Sequence, residues 1–432
     1  MPIIIQGATS GQATVQATDA ATVTLTLPST SGTLVTTAGG GSPTFTTVTA
    51  TTGNITTVNS TTTATSNLTI GGTALGAGNA SIMKNRIING AMVIDQRNAG
   101  ASVTNVAGAV YSVDRWKTYG SQASKFTAQQ NAGSVTPPVG FVNYLGVTSS
   151  AATTIGASEQ YWIGQNIEGY NVADLGWGTA NAKTVTLSFW VRSSLTGQFG
   201  AVIANNGNFD RSYPFSYTIS AANTWEQKSV TIAGDTSGTW LTNNSSGLNL
   251  QINLGIGSTF TGSGGAWTSS VIMTPTGSTN VLGTNGATFY ITGVQLEVGS
   301  SATGFEYRQF GTELALCQRY FESNCNIGTA PANGVNVPDG YKYGLNTAGQ
   351  LYLNQIKFQV SKRASPTITY YRAGQTATDG QWGVYNGAWT AVSATATDSS
   401  GMASFGVQTN TAGTSANVTY LMQGVWAASA EL

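Results

Sequence analysis

"TVTLSFWVRSS", Thr184 to Ser194, sets an apolar side chain at every second position from Val185 to Val191. Val185, Leu187, Phe189 and Val191 fall on one side of an extended chain, and Thr186, Ser188, Trp190 and Arg192 on the other. Successive side chains of a strand point to opposite faces, so this stretch reads as a strand with one face in a core. "TWEQKSVTIAG" (224–234), "LNLQINLGIG" (248–257) and "ATFYITGVQLEVG" (287–299) are further strands, set apart by Gly/Ser/Asn turns. Helical periodicity is nearly absent. Short alternating strands divided by turn signals predict an all-β fold, with a jelly-roll β-sandwich over residues 84–310.

Residues 311–432 read as a second, C-terminal β-domain, with strands in "YGLNTAGQLYLNQIKFQVSK", "TITYYRAG" and "ANVTYLMQGVWAASAEL". "GTELALCQRYFES" (311–323) is the best helix candidate. Thr312 is placed to cap it, and Leu314, Cys317 and Phe321 share one face.

Residues 1–83 have another texture, with Asp19 their only charged residue. Thr44 to Gly72 holds thirteen threonines and a ten-residue echo that aligns Phe45, Ile55 and Thr65, and Val48, Val58 and Leu68. A repeated strand–turn unit with one or two apolar anchors cannot alone offset an ordering entropy of about 1–2 kcal/mol per residue. Self-association resolves this. Residues 41–83 are expected to form an intertwined β shaft of three identical chains, each covering the others' anchors, with residues 1–40 as a docking segment.

Composition narrows the function. The 432 residues carry no net formal charge and only 8% are charged, which argues against an electrostatic nucleic-acid grip and against a polybasic membrane patch. No apolar run approaches a membrane span, and "MPIIIQGATS" lacks the basic and apolar regions of an ordinary secretory signal. The chain has no histidine, which excludes a Ser-His-Asp triad, a Cys-His pair and a His-ligated zinc site within it. Cys317 and Cys325 read as structural or free thiols.

Several motifs go further. "NRIINGAMVIDQRNAG", "YSVDRWKTYG", "LSFWVRSS", "ITGVQLEVG", "FEYR" and "CQRYFES" together resemble a module recurrent in bacteriophage tail-fibre and receptor-binding proteins. "KRASPTITYY" and "GVWAASAEL" resemble the region that often follows it, and "VTLTLPSTSGTLV" resembles segments near the N-termini of phage tail proteins. The middle module is also distantly similar to carbohydrate-binding jelly rolls. The acids that hold a structural calcium in that family are missing, since Ala91 and Met92 follow Asn89–Gly90 and Thr292–Gly293 occupy the later position. Glu297 is left as an oxygen donor and reads as structural, so no cofactor is expected.

The resemblance implies a homotrimeric virion tail fibre, assembled in the host cytoplasm. Its N-terminus would dock on a phage tail or baseplate protein, and it would attach to a host surface glycan without breaking it. Two alternatives stand beside this: a tailspike-like glycan depolymerase using paired carboxylates, and a purely structural baseplate or head-fibre component. Sugar binding needs flat apolar faces and polar groups for hydroxyls. Trp162, Trp177, Trp240 and Trp267 lie in Gly/Ser/Asn-rich contexts, and Tyr161, Tyr170, Asn205, Asn206 and Asn208 can supply hydrogen bonds. Trp116 reads as a packed aromatic in a loop fixed by Asp114 and Arg115. A depolymerase would draw on Asp114, Glu159, Glu168, Asp174, Asp210 and Glu226, but no spacing marks a pair. Lys362 and Arg363 read as a solvated strand end before Pro366, with a phosphate or anionic-sugar contact as the alternative.

Overall fold

A computed structural model describes residues 83–432 and the strands 68–70 and 73–75, apart from 206–209, 338–339, 348, 375–379, 397–400 and 411–413. The chain divides into two units, Met1–Ala64 and Thr65–Leu432, and every described residue belongs to the second. The expected docking segment and nearly all of the shaft lie outside the described residues. Within 41–83, Leu68–Ile70 pairs antiparallel with Thr73–Leu75.

Two six-stranded sheets form the first part of the described chain. The first runs Ser212–Ile219, Gly197–Ala204, Ser246–Ile256, Gln160–Glu168, Trp116–Gly120 and Gly108–Val113. The second runs Glu226–Ile232, Val185–Ser193, Thr288–Val298, Leu145–Ser149, Phe126–Gln130 and Val103–Thr104. Neighbouring strands are antiparallel throughout.

The period-two pattern decides the faces. Val185, Leu187, Phe189 and Val191 all enter the core, where they meet Phe199, Ile203, Phe215, Leu250 and Ile252 of the opposite sheet. Trp190 faces away and is half-buried. Trp116 is fully buried and donates its indole N–H to the Asn89 carbonyl at 3.0 Å, a packed aromatic as its sequence context suggested.

The helix is shorter and earlier than expected, spanning Phe310–Gln318. The Gln309 carbonyl accepts from the Thr312 and Glu313 amides at 2.9 and 3.0 Å, so Thr312 lies in the first turn and caps nothing. Phe321–Ser323, which the helical reading included, pairs instead as a strand with Val425–Ser429. Cross-strand pairing outcompetes local helical preference there. Leu314 and Cys317 do share a face, packed with Ile88, Ile94 and Tyr320. Both cysteines are free thiols.

The rest of the chain is a closed six-stranded barrel with a three-stranded sheet beside it. The barrel runs Tyr341–Thr347, Gln350–Lys357, Ser404–Asn410, Trp389–Ala396, Gln381–Tyr385 and Thr419–Gln423. Leu351, Leu353, Trp382, Val384, Phe405, Val407, Met422 and Trp426 fill it. A Cβ on Gly424 would stand 2.1 Å from the Trp382 indole, so glycine is what lets that ring pack against the backbone.

Charged pairs join the two parts. Arg319 grips Glu168 through both carboxylate oxygens at 2.9 and 2.6 Å, and the Tyr320 hydroxyl donates to the same carboxylate at 2.6 Å. Arg115 pairs with Glu431 and lies over the Tyr320 ring at 3.6 Å. The "KRASP" pair is not a solvated end. Lys362 is fully buried and binds Glu322 at 2.6 Å, with the Gln318 and Val360 carbonyls around it. Arg363 donates to the carbonyls of Ala430, Asn244 and Glu431 at 2.6, 2.8 and 2.6 Å. Both cations are spent inside the fold, because a carboxylate and main-chain oxygens that would otherwise be buried bare converge on them.

Glu322→Ala would leave the Lys362 ammonium buried without a counter-ion, at an expected cost of about 3–5 kcal/mol. Urea titration reads this as a lower midpoint at unchanged slope. The double variant Glu322→Leu/Lys362→Met should recover most of the loss, and equal instability of single and double variants would contradict the account.

Candidate functional site

The inward positions of the first sheet are filled by Tyr161, Ile163 and Ile167 on one central strand and by Leu248, Leu250, Ile252 and Leu254 on the next. Alternation therefore turns Trp162, Gly164 and Asn166, and Asn249, Gln251 and Asn253, to the outer face. Register sets Asn166 opposite Asn249, Gly164 opposite Gln251 and Trp162 opposite Asn253. On the flanks, Lys117 stands opposite Gly164, Tyr119 opposite Trp162, and Val202 opposite Gln251. The three rows cover about 14 Å along the strands, with opposed Cβ atoms about 5 Å apart.

Amides on an outer sheet face ordinarily meet water. Here Asn166, Asn249, Gln251, Asn253 and Trp162 are each no more than 6% exposed. Asn166 Oδ1, Asn249 Oδ1, Gln251 Oε1, Asn253 Oδ1 and Trp162 Nε1 are buried and have no hydrogen-bond partner among the described residues. The rows are enclosed from both ends. At one end the Leu432 main-chain oxygen accepts from Tyr111 Oη at 3.1 Å, Asn166 Nδ2 at 3.2 Å and Lys117 Nζ at 3.4 Å. At the other, Asn253 Nδ2 donates to the Met273 carbonyl at 2.6 Å, and Met273, Phe260 and Ile256 pack around Trp162. Tyr119 stacks on Trp162 with centroids 5.2 Å apart and planes 7° apart. The result is a buried polar face with a stacked aromatic pair at one edge. Burial and the charge of Arg115 push the Lys117 ammonium down to about 8, so it is mainly a cation at neutral pH.

Of the residues singled out from sequence, Trp162 lies on this face, but as the backing of Tyr119 rather than an open platform. Tyr161 points into the core, with its hydroxyl 3.3 Å from Glu159. Tyr170 is exposed, at 62%. Trp177, Trp240 and Trp267 form a mutual edge-to-face cluster with centroids 4.7, 5.3 and 5.5 Å apart. Their indole N–H groups donate to the Lys183, Ser237 and Ala233 carbonyls, so the cluster closes the sandwich core and offers no free donor. Asn205 ties a turn through Asp210, Thr239 and Arg211. Asn206 and Asn208 lie outside the described residues. Sequence reading passed over Lys117, Tyr119, Asn166, Asn249, Gln251 and Asn253. The signal was present in "LNLQINLG", where every outward position between the leucines and isoleucine carries an amide and none carries the Thr, Lys or Glu of a solvated face.

The six acids weighed for catalysis each have an internal partner. Asp114 accepts from Gln96 at 2.5 Å, Asp174 binds Arg86 at 2.8 Å, and Glu226 binds Lys228 at 2.5 Å. Glu159 accepts from the Gly156 amide at 3.0 Å, Glu168 holds Arg319, and Asp210 accepts from Asn205. Glu297 accepts from Gln295 at 2.9 Å and from Thr303 at 2.8 and 2.7 Å, with Lys84 at 3.6 Å. An ammonium thus stands beside the one carboxylate left as a metal ligand. Among the described residues no cluster of three His, Cys, Asp or Glu side chains is suited to a metal ion.

No family model matches this chain, and no curated protein matches it. Several solved structures are similar at low identity. The enzymatically active domain of tailspike protein 4 from bacteriophage CBA120 is 12% identical with a TM-score of 0.26, over 50% of this chain and only 22% of that one. A putative sugar-binding protein from Bacteroides thetaiotaomicron is 13% identical with a TM-score of 0.28, over 50% of this chain and all of that one. A family 11 carbohydrate-binding module from Clostridium thermocellum, in complex with a mixed-linked tetrasaccharide, is 12% identical with a TM-score of 0.24, over 47% and 98%. Likenesses this slight carry no weight for function, which rests on the chain's own residues.

In the turn that carries Arg115, burial raises the Asp114 carboxyl from 3.8 to about 7, against the opposing pull of Arg97 and Gln96. A folded pKa above the unfolded one means the folded state holds its proton longer. The contribution is therefore fully present below about pH 4 and is lost as pH climbs to about 7. Melting temperature followed from pH 4 to 8 should fall more in the parent protein than in Asp114→Asn. Parallel curves for the two would contradict the assignment.

Proposed function

We propose that this protein is a glycan-binding protein whose ligand lies on the outer face of the first sheet. The observation that carries the reading is the set of five buried, unpartnered polar atoms on one enclosed face beside a stacked Tyr119–Trp162 pair. Sugar hydroxyls both donate and accept, so once the side chains that cover this face move aside they satisfy the four carbonyl oxygens and the indole N–H. The half-buried Tyr119 ring, with one face on Trp162, has its other face to offer the C–H face of a pyranose. No step of bond cleavage is assigned, since the six acids are engaged within the fold.

More particularly, we read it as the attachment fibre of a bacteriophage: a homotrimer with residues 1–40 on a tail or baseplate partner and 41–83 as a shaft. Two features support this. The uncharged, Thr-rich stretch at 44–72 needs partners to bury its anchors, and the motifs at 85–100, 111–120, 187–194, 291–299, 305–308, 317–323, 362–371 and 424–432 resemble those of tail-fibre proteins. Three sites on one stalk would give avidity about 10²–10⁴ above a single site.

A glycan array of bacterial surface polysaccharides, followed by calorimetry on the hits, tests the site. Gln251→Ala and Asn249→Ala should each weaken binding about tenfold, the loss of one hydrogen bond and the exposure of its unpaired partner. Tyr170→Ala, a surface control, should bind as the parent does. Unchanged affinity in both amide variants would remove this face from the account. Light scattering on the purified chain should give three times its own mass, and a compact single subunit would defeat the fibre.

A further inference from the structure

The barrel exposes aromatic rings where a solvated surface would carry polar ones. Tyr341 and Tyr343 alternate outward on the first barrel strand, and Tyr385 and Trp389 close a hairpin two strands away. Register runs Tyr341–Gln423–Gly383 in one row and Tyr343–Leu421–Tyr385–Trp389 in the next. Trp389 is 37% exposed and Tyr341 49%. Their centroids are 6.1 Å apart with planes tilted by 54°, while the Tyr385 centroid lies 5.4 Å from that of Trp389. A Cβ on Gly383 would come 3.1 Å from the Trp389 ring, so the bare strand lets the indole lie across it. Exposed aromatics gathered this closely mark a contact surface.

Between these rings opens a cavity of about 260 Å³, lined by Asn336, Tyr341, Arg372, Gly383, Trp389 and Gln423. Arg372 is only 8% exposed, yet among the described residues its side chain makes no ion pair and no hydrogen bond. A guanidinium stays charged at any physiological pH, and a largely buried one calls for an anion. Among the described residues no acid lines the cavity.

We propose that this cavity is a second binding site, for a single sugar ring bearing a carboxylate. Arg372 takes the carboxylate, for which a planar fork is the matching donor. Asn336 and Gln423 supply donors and acceptors for ring hydroxyls. Tyr341 and Trp389 form the angled apolar wall for the C–H face. The cavity is smaller than the roughly 300–1,000 Å³ of sites for drug-sized ligands, which suits one ring rather than a chain. The site is independent of the outer face of the sandwich, lying on a different domain with a different lining, so either can fail alone.

Calorimetry and saturation-transfer NMR on the full chain test it, with the methyl glycosides of glucuronic, galacturonic and N-acetylneuraminic acid against those of glucose and galactose. At least one acidic sugar should saturate with a Kd on the order of 1 mM, and the neutral sugars should bind about tenfold more weakly or not at all. Arg372→Gln should cost about tenfold in affinity. Because Arg372 is buried and its loss can disturb the fold, Tyr341→Ala is the companion variant. It should weaken binding about fivefold with an unchanged melting temperature. Gln251→Ala should leave acidic-sugar binding intact. The proposal is overturned if no acidic sugar saturates, if neutral and acidic sugars bind alike, or if Tyr341→Ala binds as the parent does.

Discussion

A buried carbonyl oxygen or N–H left without a partner costs about 1–3 kcal/mol, and the outer face of the first sheet carries five such atoms within three adjacent rows. Burying them individually by chance is unremarkable in a large β-protein. Having four amide oxygens and an indole N–H in register, on two neighbouring strands, is a different matter. The rest of the sandwich is arranged so that this face exists. The opposing sheet takes the apolar inner residues, and Gly164 keeps the middle row low between Lys117 and Gln251. The segment around Met273 and the end of the chain at Leu432 enclose the rows from opposite ends.

That enclosure depends on the seam between sandwich and barrel. Glu168, one turn of pleat beyond Asn166 on the same strand, is held by Arg319 and Tyr320. Arg115 reaches from its left-handed turn, at φ 70°, to Glu431, to the Tyr320 ring and to the Asn166 carbonyl at 2.5 Å. The Glu431–Leu432 segment is fixed in turn by Arg363 and Arg97. Basic and acidic groups are sparse in this chain, and many of those near the seam act within it. The two domains therefore meet through a charged, hydrogen-bonded contact that bounds one end of that face, rather than through a flexible tether.

Strand placement was legible in the sequence wherever alternation was clean. Val185 to Ser193 falls where the period-two pattern put it, because one face had to be apolar, and Glu226 to Ile232, Ser246 to Ile256 and Thr288 to Val298 fall within the other runs that Gly/Ser/Asn turns set apart. The helix was harder, since Phe321 and Glu322 are drawn into a sheet by a partner strand a hundred residues away. Lys362 and Arg363 defeated local reading for the same reason: their counter-groups come from Glu322, Asn244 and the last residues of the chain. At the site, attention to tryptophan found Trp162 but also three rings that only cap the core. The amides of "LNLQINLG" say more than the aromatics do, yet their meaning needs the burial that other segments impose. The barrel cavity was not legible at all, because Asn336, Arg372, Trp389 and Gln423 meet only when the barrel closes.

The central claim is that the unpartnered groups of the outer face are waiting for sugar hydroxyls. Heteronuclear NMR of the indole N–H and side-chain amide signals, during titration with a glycan identified by array, tests it most directly. The account predicts progressive, saturable shifts of the Trp162 indole and of the Asn249, Gln251 and Asn253 side-chain amides. The indoles of Trp177, Trp240 and Trp267, already bonded to carbonyls, should stay in place. Saturable binding that moves the latter three and leaves Trp162 and the amides still would contradict it.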